Sequence, residues 1–175
     1  MSTHAFDSAG SSTIEETAWR IDPDRSSVEF DVKAMWGIAT VKGHFSRFHG
    51  TLDLSGEPAV DLTIDADSLD TSNTRRDKHL RSPDFFDAEQ HPYVRFVSET
   101  TALDGERLTV RGRLYARGAS MPLDVDTTLR RAGDELEIEA VAGADHHQLG
   151  LTWNVLGLIR TPSTLIVKGR LVRDA

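Results

Sequence analysis

The chain has no cysteine among its 175 residues. That excludes a disulfide framework, a thiolate nucleophile and a cysteine-ligated metal, and it leaves the redox compartment open. Long apolar runs are missing as well; nothing approaches the roughly 18 consecutive apolar residues of a membrane-spanning helix. Positive charge is in deficit. Twenty Lys and Arg stand against 28 Asp and Glu, a formal net charge of −8, the reverse of the balance that nucleic-acid binding favours. The motifs of familiar chemistries are absent too: no Gly-x-Ser-x-Gly elbow, no phosphate-cradling glycine loop, no dinucleotide fingerprint and no His-Glu-x-x-His pair. No repeat of 20–50 residues is visible. Met1 to Thr17 lacks a basic n-region and an apolar h-region, so it does not read as a secretory signal. Its Ser, Thr, Ala and Gly content reads as a disordered tail ahead of one domain over residues 18–175, and the expected location is cytoplasmic.

What is present is alternation. Val28, Phe30 and Val32 alternate with Glu29, Asp31 and Lys33, the signature of a strand with one wet face. The same pattern runs through Val60, Leu62, Ile64 and Ala66, through Val94 and Phe96, and through Leu108, Val110, Gly112, Leu114 and Ala116. It continues with Leu123, Val125, Thr127 and Leu129, then Leu136, Ile138, Ala140 and Ala142, and ends with Leu165 to Val172. Ala39 to Leu54 is long for one strand, and Gly43 and Gly50 within it predict bends or bulges. Asp22-Pro23, Ala34 to Gly37, Ser55-Gly56-Glu57-Pro58, Gly118 and Ala132-Gly133-Asp134 mark turns. About eight strands on short connections predict an antiparallel sheet closed into a barrel, since closure removes exposed edges. A barrel of that size is either packed solid or holds one small ligand.

One stretch, Leu69 to Ser98, breaks the alternation. Asn73 is a good helix N-cap for Thr74 to Arg81, with Asp77 and Arg81 four apart on one face. Ser82-Pro83-Asp84 restarts the helix signal, and Phe85 and Phe86 give that second short helix an apolar anchor. His91-Pro92 ends it. The expectation is a plug of two helical turns inserted between strands.

This stretch also carries a resemblance. Leu-Asp-Thr-Ser-Asn, then Arg-Asp-x-His-Leu-x-Ser-x-Asp-Phe-Phe-Asp, then His-Pro-Tyr-x-x-Phe-x-Ser closely resembles the signature of the YceI-like family. Val-x-Gly-x-Phe at Val41 to Phe45 resembles it again, and weaker similarity runs from Trp19 to Arg173. Where the family pattern has Asp-x-x-His-Ser, this chain has Asp24-Arg25-Ser26-Ser27. The resemblance implies a mainly β protein, an eight-stranded antiparallel lipocalin-like barrel with a short helical insertion, that binds polyisoprenoid or other long-chain lipid.

It further implies an elongated apolar pore, for which the expected lining is Phe30, Val32, Phe45, Leu62, Ile64, Phe85, Phe86, Phe96, Leu114 and Trp153. The basic cluster Arg75, Arg76, Lys78, His79 and Arg81 is a local reversal of charge. It reads either as a headgroup rim, since Arg can bind two oxygens at once, or as structure: a solvated helix face with Asp77 paired to Arg81, or Arg76, Asp77 and His79 tying the helix to the barrel. His44 and His49, five apart, fall on opposite faces of an unbroken strand, and His146-His147 likewise diverge, so no metal and no other cofactor is expected. Gln148 to Pro162 is strongly apolar, with a strand expected over Leu149, Leu151 and Trp153. The rest reads as a flap over one barrel end or a homodimer surface. The leading expectation is a non-catalytic carrier of an isoprenoid or fatty-acyl small molecule. The alternative is a small enzyme acting on a lipid phosphate or ester at the basic rim.

Overall fold

The computed structural model describes residues 14, 16–34, 39–149 and 163–174. Most of the expected N-terminal tail and residues 35–37 of the turn expected at 34–37 lie outside them. Eleven strand segments and one α-helix make up the regular structure among the described residues. In chain order these are β1 (Ala18–Ile21), β2 (Ser27–Ala34), β3 (Ala39–Phe45), β4 (Phe48–Asp53), β5 (Ala59–Asp65), β6 (Leu69–Asp70), α1 (Thr74–Arg81), β7 (Tyr93–Asp104), β8 (Arg107–Ala116), β9 (Ala119–Ala132), β10 (Glu135–Ala144) and β11 (Ser163–Arg173).

The pairing makes eight staves of the eleven segments. β1 and β2 are one bent stave, interrupted by a 3-10 turn at Pro23–Arg25 that Asp22 caps through its side chain. β3 and β4 are a second, and β5 and β6 a third. From there every neighbour in sequence is a neighbour in space, β5 to β7, β7 to β8, β8 to β9, β9 to β10 and β10 to β11, all antiparallel. β11 closes the ring by pairing with β2 over its first half and β1 over its second. The result is mainly β: a closed eight-stranded antiparallel barrel with one helix, as expected from the alternation and the turn signals. β7 runs further than the alternation of Val94 and Phe96 marks, to Asp104, with a bulge between Ser98 and Thr100.

The corner where β11 passes from β2 to β1 rests on Gly169. Its φ is +154°, and a Cβ there would overlap Ser26 Oγ and lie 2.5 Å from Ser26 Cα. The space is used: the Arg170 N–H donates to Ser26 Oγ at 3.1 Å. Arg25 ties the same corner to the β9–β10 hairpin, donating to Asp22 at 2.7 Å and to both Glu135 oxygens at 2.7 and 2.9 Å. That guanidinium holds the Asp22 and Glu135 carboxyls below their usual values.

The expected bends at Gly43 and Gly50 are not where the long β3–β4 stave breaks. It breaks at Ser46 and Arg47, where the Arg47 N–H donates to Ser68 Oγ and the Ser46 N–H to the Ser68 carbonyl. Gly43 instead makes room, because a Cβ there would overlap Phe30 Cζ. Gly112 does the same beneath the Phe96 ring, where a Cβ would sit 2.6 Å from the nearest ring carbon and overlap the Val97 carbonyl. The break at Ser46 and Arg47 also shifts the parity of the stave, so His44 and His49 are both exposed rather than on opposite faces.

The lower end of the barrel, at the hairpin turns through Gly105 and Gly133, is closed by buried apolar side chains. Trp19, Leu129 and Leu136 are fully buried there, with Leu108, Leu52 and Leu171 at 1–3 % exposure. The upper end carries the Arg117–Gly118 turn and α1. No helix among the described residues is long and apolar enough to cross a membrane.

Replacing Gly169 with Ala should cost about 2–4 kcal/mol in urea unfolding, from backbone strain and the clash with Ser26. Gly56→Ala, in open space, should stay within about 0.5 kcal/mol.

Candidate ligand-binding cavity

The inward positions of the staves do not fill the barrel. Above the lower floor they enclose a cavity of about 210 Å³, walled by Ile21, Leu108 and Leu171 low down and by Leu80, Phe85, Phe86 and Ala144 at the top. Part of the reason is side-chain size. The inward residues of upper β10 are Ala140, Ala142 and Ala144, and the Phe30 and Phe96 rings lie back over glycines. An enclosed water needs ~10–15 Å³ on this scale, so the space seats roughly 14–21 non-hydrogen atoms. Its length follows from register. Eight steps along β11, from Ser163 to Leu171, span about 27 Å of strand, or about 20 Å of barrel axis at the usual strand tilt. A void that long and that small in volume is the width of one chain.

Of the residues expected to line a pore, Phe30, Val32, Phe45, Leu62, Ile64, Phe85, Phe86, Phe96 and Leu114 all stand in the cavity wall. Trp153 lies outside the described residues, as does most of the apolar stretch around it. Leu149 is buried in a 3-10 turn, His146–Leu149, not in the expected strand. The wall also contains Val41, Val110, Leu123, Val125, Thr127, Ile138, Leu165 and Val167. The same strand parity identifies them in the sequence.

The plug closes on the barrel through aromatic contacts. Ring centroids of Phe30 and Phe45 are 5.6 Å apart, those of Phe45 and Phe86 6.1 Å, and those of Phe86 and Phe85 4.9 Å. The latter two pairs meet edge to face, a favourable quadrupole arrangement. α1 begins as expected, with Asn73 Oδ1 accepting from the Arg76 N–H at 2.9 Å. The expected second helix does not form. Ser82 ends α1, its hydroxyl donating to the His79 carbonyl at 2.6 Å and its N–H to the same oxygen at 3.1 Å, while its Oγ also accepts from the Asp84 N–H at 3.3 Å. Asp87 then takes a positive φ of 49°, which a continuing helix does not allow. Turns carry the chain instead, and Arg117 Nη1 anchors them by donating to the Phe85 carbonyl at 3.0 Å.

The basic cluster divides. Arg75 and Lys78 are exposed on the outer face of α1 and His79 is half-buried. Arg81 donates to the Leu69 carbonyl and stands 3.8 Å from Asp67. Asp77 does not pair with Arg81. It is 7 % exposed and accepts from Thr71 twice, from the N–H at 3.0 Å and the hydroxyl at 2.5 Å. Arg76 completes this network, its Nε donating to Thr71 Oγ1 at 2.8 Å and Nη2 to the Thr71 carbonyl at 2.7 Å. Arg76 also stands in the cavity wall, and its Nη1 makes no hydrogen bond among the described residues. Of the four expected rim residues, Arg75, Arg76, His79 and Arg81, the cavity wall therefore includes one.

Comparison with known proteins agrees with this architecture. A family model described as a YceI-like domain matches residues 19–170. Protein YceI of Escherichia coli O6:H1 is 34 % identical over 134 residues, covering 73 % of this chain and 69 % of that one. Among solved structures, Burkholderia cenocepacia BcnA superposes with a TM-score of 0.78 at 21 % identity, over 87 % of this chain and 99 % of that one. A polyisoprenoid-binding domain from Saccharophagus degradans, implicated in plant cell wall breakdown, superposes with a TM-score of 0.72 at 14 % identity, over 91 % and 100 %.

Truncating Asp77 to Ala should cost about 2–3 kcal/mol in urea unfolding, because it strands the buried Thr71 N–H and hydroxyl. Arg75→Ala should be silent within about 0.5 kcal/mol.

Proposed function

The chain belongs to the YceI-like family, and we propose that it is a non-catalytic carrier holding one isoprenoid or fatty-acyl chain along the barrel axis. The observation that carries this reading is the continuous apolar cavity from the plug to the leucine floor. Burying ten methylenes at about 0.8 kcal/mol each contributes about 8 kcal/mol. Immobilising the chain offsets part of that, and the remainder is enough for useful affinity without a strong polar anchor. Phe30, Val32, Phe45, Leu62, Ile64, Phe85, Phe86, Phe96 and Leu114 are the ligand-binding side chains in this reading.

Arg76 supplies the headgroup contact. Two of its nitrogens are held by Thr71, so Nη1 is presented in a fixed direction with little left to order on binding. A carboxylate, phosphate or carbonyl oxygen at the upper end of the chain would accept from it. Arg75, His79 and Arg81 act in this reading by raising the local positive potential.

The fit of the cavity predicts a chain-length profile. For saturated fatty acids, affinity by competition with a fluorescent acyl probe should rise about fourfold per added methylene. It should level off near sixteen carbons, at about 1.25 Å of advance per carbon, as longer chains emerge from the upper end. Leu62→Trp should reduce binding of the C16 chain at least tenfold with the thermal unfolding transition retained. A folded Leu62→Trp protein with wild-type affinity would remove the cavity from consideration. Cleavage of an isoprenyl phosphate on incubation with the protein would replace the carrier reading with a hydrolytic one centred on Arg76.

A further inference from the structure

We infer that the lower end of the cavity is a second polar subsite, in which the Thr127 hydroxyl meets an uncharged oxygen on the far terminus of the chain. The inference rests on the proposed function and deepens it, from a long-chain lipid to a chain oxygenated at both ends.

Thr127 occupies an inward position of β9, between Val125 and Leu129, opposite Leu108 on β8 and Ala140 on β10. It is 5 % exposed and stands in the cavity wall. No hydrogen bond to its hydroxyl is made among the described residues, whereas the buried Ser68 and Thr71 hydroxyls are bonded at 2.7 and 2.5 Å and the buried Ser163 also has a partner. Thr127 Oγ1 is not sealed in the wall: the fully occluded, unpartnered side-chain atoms among the described residues are Trp19 Nε1 and Arg81 Nε, so this hydroxyl opens onto the cavity and is left to bond whatever fills it. Valine would fill the same shape at that position with no bond to offer. A single trapped water is a poor answer, because a buried water is held by two to four polar partners and Thr127 offers one. The occupant itself is the better one.

The surroundings decide the charge of the group. Thr127 lies directly opposite Leu108 and Ala140, with Val110 and Ile138 diagonal to it and Val167 beyond Ala140 in the same row, all apolar. Among the described residues no cation faces it, so a carboxylate or phosphate would be stranded there. A hydroxyl, carbonyl or ether oxygen can give or take the one available hydrogen bond and tolerate the rest of the site. The distance also fits. Thr127 is eight residues along β9 from Ala119 at the upper turn, about 27 Å of strand and about 20 Å of axis. That is the reach of a chain of about sixteen carbons whose headgroup is at Arg76.

The test compares hexadecanoic acid with 16-hydroxyhexadecanoic acid by titration calorimetry on the full chain. An all-apolar floor penalises the added hydroxyl, so the ratio of the two affinities reports the subsite. Wild type should bind the hydroxylated acid at least as tightly as the plain one. Thr127→Val should bind the plain acid undiminished and the hydroxylated acid about tenfold more weakly. Thr127→Ser, which keeps the hydroxyl, should retain the wild-type ratio. Equal ratios in wild type and Thr127→Val, with hexadecanoic acid bound by both, would overturn the subsite and leave the carrier reading standing. Should Thr127→Val not fold, wild type alone decides: tenfold weaker binding of the hydroxylated acid overturns the subsite. If wild type binds neither acid nor an isoprenol, the carrier reading falls and the subsite with it.

Discussion

The interior of this barrel depends on strand register. Side chains alternate with a period of two, so a slip of one residue in any stave would turn its apolar set to solvent and its Asp, Glu and Arg inward. Short hairpins fix most of the pairings. Two further devices act where hairpins do not reach. The Phe30 and Phe96 rings lie over Gly43 and Gly112, positions at which any side chain would collide with the ring or, at Gly112, with the Val97 carbonyl. At the opposite corner, Ser26 fills the place of a Gly169 side chain and bonds to Arg170. Each is a lock that only one register satisfies.

The same locks help make the barrel hollow. Aromatic rings that fold back over glycine lie along the wall rather than across the lumen. Alanines on upper β10 leave the facing side low. Leucines and Trp19 return at the base, where they are buried. The interior thus grades from a rigid floor to a tube capped by stacked phenylalanines. The polar residues of the wall are few, Arg76 oriented by Thr71 above, Ser163 near it, and Thr51, Asp61 and Thr127 further down, with mostly hydrocarbon between.

Much of this was legible in the sequence. Alternation and turn residues located the staves, and Asn73 located the start of α1. Strand parity also marked which residues face inward, and the family resemblance pointed to the plug. What escaped has physical causes. Ser82 Oγ bonds both the His79 carbonyl behind it and the Asp84 N–H ahead of it, and it is the positive φ of Asp87 that stops a second helix. Asp77 could have paired along α1, but Thr71, six residues earlier and brought alongside by β6, offers two donors. The break at Ser46 and Arg47 carries no Gly or Pro, since Ser68 from a neighbouring stave imposes it. Thr127 is visible in the sequence as the one hydroxyl among Leu123, Val125 and Leu129. Its isolation from any partner emerges only when the ring is closed and its neighbours prove to be hydrocarbon.

Closure joins the first strand to the last: Trp19 lies opposite Arg173, and Leu171 opposite Ile21. During synthesis β1 and β2 therefore wait for β11, which is still inside the ribosomal tunnel when the strands before it have emerged. Until then the first stave presents an unpaired edge and a greasy inner face to solvent. High-contact-order sheets of this kind fold slowly for the same entropic reason. The chain is thus most exposed to aggregation in the interval before β11 appears.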